Sequence, residues 1–422
     1  MVSYYKLTLK EFFVISISIC FLFQITLQKQ FSYFGYFDEI ITTILFTSFA
    51  CKYLISKVSI TINEAKVLIC IILFVFVGIL SSFFAQVQTG FKPILMDVFN
   101  CIKVYLMYFG ASHFLMGLPN RDKVIKILAK IVRVVVSIAA VCAILNFFVD
   151  IGMGDEIRYG IRSFHFIIQG GAGQFALCCY LYMVILNADL QYEPSKKKQK
   201  IFFIILTLIV WGATLRSRAF SYIAIFITSY FIIVKQKKFK FKFRFIFMAA
   251  PLLYLFCISQ FDTYFGNAKT ARANFVLVAF SLIKKYFPFG SGFATFGTDA
   301  AAVYYSDIYY KYGLNHIFGL FPDNPIFSHD TYWPAILGQF GVIGGLLMVL
   351  LIYYTFKAMF SHVRGNKYLF NVVLFVCYVC VFSSIATATF FHFMTVGLFF
   401  VCLVCLDNSV PVQNGTYKAE NI

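Results

Sequence analysis

Long apolar runs follow one another along most of this chain, separated by short polar or basic punctuation. They fall at about 12–27, 37–55, 65–84, 94–116, 125–149, 164–187, 201–215, 219–234, 243–259, 333–356, 368–387 and 389–406. Many approach the ~20 residues a helix needs to cross a bilayer. The pattern predicts an all-α polytopic membrane protein of about twelve transmembrane helices.

Charge punctuation sets the orientation. Lys196, Lys197, Lys198 and Lys200 precede Ile201, and Lys235, Lys237, Lys238, Lys240, Lys242 and Arg244 follow Val234. Both clusters belong on the cytoplasmic side. The segment between them must cross an even number of times. As one straight helix its residues would run about 51 Å against a ~30 Å core, so 201–234 is predicted to be a hairpin with Arg216-Ser217-Arg218 at its outer tip. The other short loops agree, with Lys52, Lys57, Arg121, Lys123, Lys126, Lys357, Arg364 and Lys367 inside and little beyond Lys29, Lys92, Arg158 and Arg162 outside. Both termini are expected inside. The first run lacks a small-residue cleavage site and reads as a retained span.

The chain thus divides into spans 1–259, one large outer loop 260–332, spans 333–406 and a tail 407–422 expected to be disordered. Within the loop, Thr270–Tyr286 places Phe275, Val278, Ala279 and Leu282 at helical spacing, as in a helix lying along the membrane surface. A glycine-rich turn, PFGSGFATFG, and a tyrosine-rich segment follow. The loop ends in FSHDTYWPAILGQFGVIGG. There Asp330 or Thr331 is the expected N-cap and Pro334 falls in the first turn. Tyr332 and Trp333 are expected at headgroup level. Gly338, Gly341, Gly344 and Gly345 let another helix approach closely. His329 then sits just outside a helix N-terminus that favours an anion, an arrangement suited to chemistry on a phosphate-linked lipid, although an interfacial anchoring role fits it equally.

Composition fits this reading: 61% of residues are hydrophobic, 13% are charged and mean hydropathy is +0.82. The +18 net charge lies in loops between spans, so it does not indicate nucleic acid as a partner. All twelve cysteines fall in or beside apolar runs, and the pairs Cys377/Cys380 and Cys402/Cys405 read as small helix-face residues rather than as a zinc site. There is no Walker A sequence and no Asp-x-Asp carboxylate clamp. Asp97 and Lys103, in the fourth span, are expected to pair with each other.

Outer arginines are the strongest chemical signal. Arg216 and Arg218 sit on a hairpin with short arms, Arg158 and Arg162 precede Phe164, and Arg272 lies in the amphipathic segment. Guanidinium forks bind diphosphate bidentately at any relevant pH. Anchoring, or ion pairs with Asp155 and Glu156, would also account for them.

The order RYGIRSF, TLRSRAF, Arg272 with PFGSGFATF, and then SHDTYWPAILGQFGVIGG resembles the O-antigen polymerase and ligase superfamily of bacterial envelope glycan assembly. The resemblance covers roughly 155–350. It departs from the family at Asp330, where asparagine is usual, and at Gln339, where an acidic residue is frequent. It implies a GT-C-like inner-membrane glycosyltransferase whose active site and large outer loop face the periplasm, acting on undecaprenyl-diphosphate-linked glycan donor and acceptor in membrane lipid. No cofactor or metal is implied, and inversion at the anomeric carbon is expected. Arg216 would hold the diphosphate, with Arg158, Arg162, Arg218 and Arg272 assisting, and with Asp330 and Tyr332 lining the site. His329 would orient or deprotonate the acceptor hydroxyl. Polymerase is the preferred expectation, with a chain-length-regulator protein as partner. Ligase transfer to lipid A core is the alternative, and an exporter or flippase is the alternative of a different class.

Overall fold

The computed structural model describes residues 7–55, 60–154, 156–158, 160–234, 270–328, 330–363 and 365–406. The span expected at 243–259, the tail, Asp155 and His329 lie outside the described residues. The fold is all-α apart from one two-residue hairpin. Among the described residues, seven helices are long and apolar enough to cross a membrane, and a bent pair makes an eighth candidate. The chain is a multi-pass membrane protein.

Helix α1 (Leu9–Leu22) and α2 (Gln24–Gln30) divide the first expected span, bent by 74° at Phe23. The buried Gln24 amide donates to Asp38 at the start of α3 (Phe37–Ile55), so a polar residue in mid-run anchors the bend. Helices α4 (Ile62–Ala85), α5 (Phe91–Phe114) and α6 (Arg121–Phe148) follow. Both α1 and α4 open with a capping box, Thr8/Glu11 and Thr61/Glu64, in which hydroxyl and carboxylate satisfy two first-turn N–H groups. Helix α7 (Ala172–Asp189) begins later than the apolar run that predicts it, because Gly170 and Gly171 interrupt that run. Phe164 and Phe166 instead fold back onto Phe175. Apolar all round, α7 is buried at the bundle centre. The predicted hairpin is present as α8 (Lys197–Gly212) and α9 (Ser217–Ser229), the latter continued by a π turn to Val234.

Charged groups inside the bundle are matched across helices. Lys103 pairs with Asp38 at 3.1 Å and Glu39 at 3.9 Å, not with Asp97. Six positions apart on one helix, Asp97 and Lys103 face different directions. At the lysine-rich end, buried Asp189 accepts from Arg133 and from Lys200 at 3.0 Å, joining α6, α7 and α8. Because Lys200 is 3% exposed, Asp189→Asn strands a buried cation. The expected cost is about 3–5 kcal/mol, visible as a lowered unfolding temperature in detergent; Lys198→Gln, on the same helix, is expected to change it little.

The segment from Thr270 has its own small core. Helix α10 (Ala271–Lys285) buries the expected face, Phe275, Val278, Ala279 and Leu282, against Phe296, Ile308, Tyr309 and Leu320. Two short helices, α11 (Asp299–Val303) and α12 (Asp307–Lys311), complete it. The bundle then closes with α13 (Trp333–Ser361), α14 (Lys367–Ala386) and the short, buried α15 (Phe393–Cys405). Cys380, Cys402 and Cys405 are buried on these last two helices, with Cys377 partly so.

The glycine-rich turn is not a surface turn. Residues 290–297 are buried in the bundle between α4, α5 and α13. The donors of this loop are paired one by one: Ser291 and Gly292 N–H to the Gly338 and Gln339 carbonyls, Phe293 to Ser82 Oγ, Ala294 to Asp97 Oδ2 at 2.6 Å, and Thr295 to Gln339 Oε1. Irregular backbone inside a bundle requires such pairing. The acceptors on α13 are open because the helix breaks at Gly341, whose φ 61° and ψ −159° are non-helical. Asp97 is therefore an anchor for the loop. Phe293 packs where Gly78 of α4 leaves room for its ring, and Phe74 and Phe340 close around it.

Candidate anion-binding site at the Arg216 end

Arg216 stands where α8 turns into α9, at the opposite end of α8 from Lys197, Lys198 and Lys200. Thr214 Oγ1 donates to the Trp211 carbonyl, Leu215 takes a positive φ, and Arg216 becomes the N-cap of α9. An arginine cannot accept a hydrogen bond, so no side-chain cap covers the first turn. The positive helix end and two guanidinium groups, Arg216 and Arg218, thus share one corner. The Ala213 carbonyl accepts the Phe164 N–H at 2.9 Å and docks the preceding loop on this turn.

That loop carries strands β1 (Ile157–Arg158) and β2 (Ile161–Arg162), antiparallel, with Ile157 opposite Arg162 and Arg158 opposite Ile161. The register puts the two arginines on opposite faces of the ribbon. Glu156, two residues before Arg158, shares its face. Its carboxylate accepts from Arg158 Nε at 2.6 Å and lies 3.8 Å from Arg216 Nη2. Arg162 is turned the other way, toward Asp150 at 3.7 Å and the Asn146 carbonyl.

The remaining candidates are placed by the start of α13 and the end of α14. Arg218 lies within electrostatic reach of the Tyr180 and Tyr222 hydroxyls. Tyr222 bonds Ser383 at 2.6 Å, and neighbouring Ser384 accepts from Trp333 Nε1 at 3.0 Å. This serine pair links the Arg216 corner to the helix that follows the loop, and nothing in the sequence signalled it. Arg272 pairs with Asp330 at 2.6 Å, tying α10 to the residues just before α13. Asp330 is therefore an ion-pair partner rather than an N-cap; Tyr332 is the cap residue and makes no side-chain capping bond. Pro334 does occupy the first turn. Tyr332 is not a surface ring either: it is 0% exposed, packed on Phe390 and Phe391 at 5.2 and 4.9 Å. An aromatic next to a polar loop carries the same local signature whether it meets a headgroup or a core.

In the loop module Tyr309 is buried, and its hydroxyl accepts the Gly297 N–H at 3.1 Å. Burial pushes this phenol above its ordinary value, so it stays neutral. Among the described residues no group of three or more His, Cys, Asp or Glu is disposed to hold a metal. The Arg158–Glu156–Arg216 arrangement sets two guanidinium groups on one carboxylate, with side chains that remain 28–48% exposed. No family model matches this chain, and no curated protein matches it.

Proposed function

We propose that this protein is an inner-membrane, GT-C-like glycosyltransferase with about twelve spans, which polymerises undecaprenyl-diphosphate-linked repeat units at its periplasmic face. The observation that carries the reading is the pair of guanidinium groups, Arg158 and Arg216, converging on one carboxylate beside an uncapped helix N-terminus. A departing diphosphate needs fixed positive charge where its own charge develops, and this corner supplies it from side chains and a helix end. The motif order and the resemblance it carries provide the glycan part of the proposal. In this reading Arg272, ion-paired with Asp330, orders the stretch containing His329, which acts on the acceptor hydroxyl.

Glycan profiling tests it. A strain lacking the gene is expected to carry single repeats on the final acceptor, with the ladder of longer chains restored by the wild-type gene. Long polymer retained on the lipid diphosphate above a bare acceptor would identify a ligase instead. An unchanged ladder would overturn the glycosyltransferase reading and favour a transporter.

A further inference from the structure

Every arginine around the Arg216 end for which an ion pair is defined faces a carboxylate of the same chain: Arg158 and Arg216 face Glu156, Arg162 faces Asp150, and Arg272 faces Asp330. Of these, Glu156 is distinctive because it contacts two guanidinium groups at once, one of them on the N-cap residue of α9. We propose that Glu156 is an internal placeholder: its carboxylate holds Arg158 and Arg216 in position in the empty site and is exchanged for the diphosphate of the incoming lipid. This inference rests on the diphosphate reading of the same corner.

Three features make the exchange feasible. Glu156 is about half exposed, at 48%, so giving up its ion pairs to water costs little. One contact, to Arg158, is a close charge-assisted bond, whereas that to Arg216 is long at 3.8 Å, a distance at which a better-fitting bidentate anion gains. Among the described residues the ribbon is tied to α6 through Asn146, whose amide donates to the Ser163 carbonyl and whose carbonyl accepts from Arg162, and to the α8–α9 turn through the Phe164 N–H on the Ala213 carbonyl. These ties lie on the second strand or beyond it, so the strand bearing Glu156 can shift without unpacking a helix. The Glu156 charge also offsets the repulsion between the two guanidinium groups it contacts.

The test uses the full-length protein in detergent, with farnesyl diphosphate as a soluble lipid-diphosphate probe. Glu156→Gln removes the competing charge and keeps the shape, so the probe is expected to bind roughly 3–10-fold tighter. A merely structural Glu156 would give weaker binding, and weaker or unchanged binding in the folded variant overturns the proposal. Hydrogen exchange on the wild-type protein needs no variant: probe binding is expected to speed exchange across 156–163 while slowing it at 217–219. Unchanged or slower exchange at 156–163 on binding overturns the placeholder. Arg216→Ala separates the two claims. If it binds the probe as well as wild type, the diphosphate reading itself fails; if it loses binding while Glu156→Gln gains none, only the placeholder does.

Discussion

Gly341→Ala is expected to leave little folded protein. The residue sits at φ 61° and ψ −159°, a region only glycine occupies without strain, and forcing another residue there costs about 1–3 kcal/mol by itself. A Cβ would also run into the Pro288 carbonyl oxygen and the Gly290 amide. Those are backbone atoms of the inserted loop, so they cannot rotate aside. The loop would have to withdraw from Ser82, Asp97 and the Gly338–Gln339 carbonyls, leaving each of these buried polar groups unpaired. Gly313→Ala is the matched control. Gly313 also has a positive φ, 68°, but nothing stands within reach of the added methyl, and only a mild loss of stability is expected. Thermal unfolding of the two variants in the same detergent measures the difference. Equal shifts would mean that the kink does not hold the loop in place.

Arg216→Ala is expected to lower the rate of glycan transfer by about 10²–10³, the range found for deleting one preorganised group that stabilises developing negative charge. Arg216→Lys is expected to recover only part of it, because an ammonium cannot span two phosphoryl oxygens as a guanidinium does. Arg162→Ala should behave differently, although Arg162 shares the RYGIRSF motif with Arg158. The ribbon register turns it toward Asp150 and the Asn146 carbonyl, away from Glu156, so a change of a few-fold is expected. Initial rates with a purified lipid-linked donor and acceptor check both. Comparable losses for Arg162→Ala and Arg216→Ala would show that the ribbon does not sort the two arginines by role.

Much of the scaffold could be read locally. Among the described residues, apolar runs became helices over most of their length, the basic flanks of 201–234 required a hairpin, and the 3.6-residue spacing of Phe275, Val278, Ala279 and Leu282 marked the buried face of α10. The same local rules misplaced residues whose partners are distant in sequence. Asp97 meets Ala294 and Lys103 meets Asp38; nothing near either position says so. Tyr332 looked like an interfacial ring because its neighbours are polar, but what buries it is Phe390 and Phe391. PFGSGFATFG reads locally as a glycine-rich turn, and the carbonyls freed at Gly341, together with Ser82, Asp97 and the Gln339 side chain, satisfy it inside the bundle.

The sequence alone determined that the chain crosses membranes as helices, where one hairpin must reverse, and that Arg216 and Arg218 lie at the hairpin tip away from Lys196, Lys197, Lys198 and Lys200. Hydrophobic period, helix length and charge flank are properties of neighbouring residues, so they survive without a fold. Which arginines act together was decided only by tertiary structure. The decision rests on the register of a two-residue ribbon docked on the Ala213 carbonyl, which sends Arg158 and Glu156 toward Arg216 and Arg162 away. Side chains one position out of phase on a strand face opposite ways, and no local pattern states which way the ribbon will land.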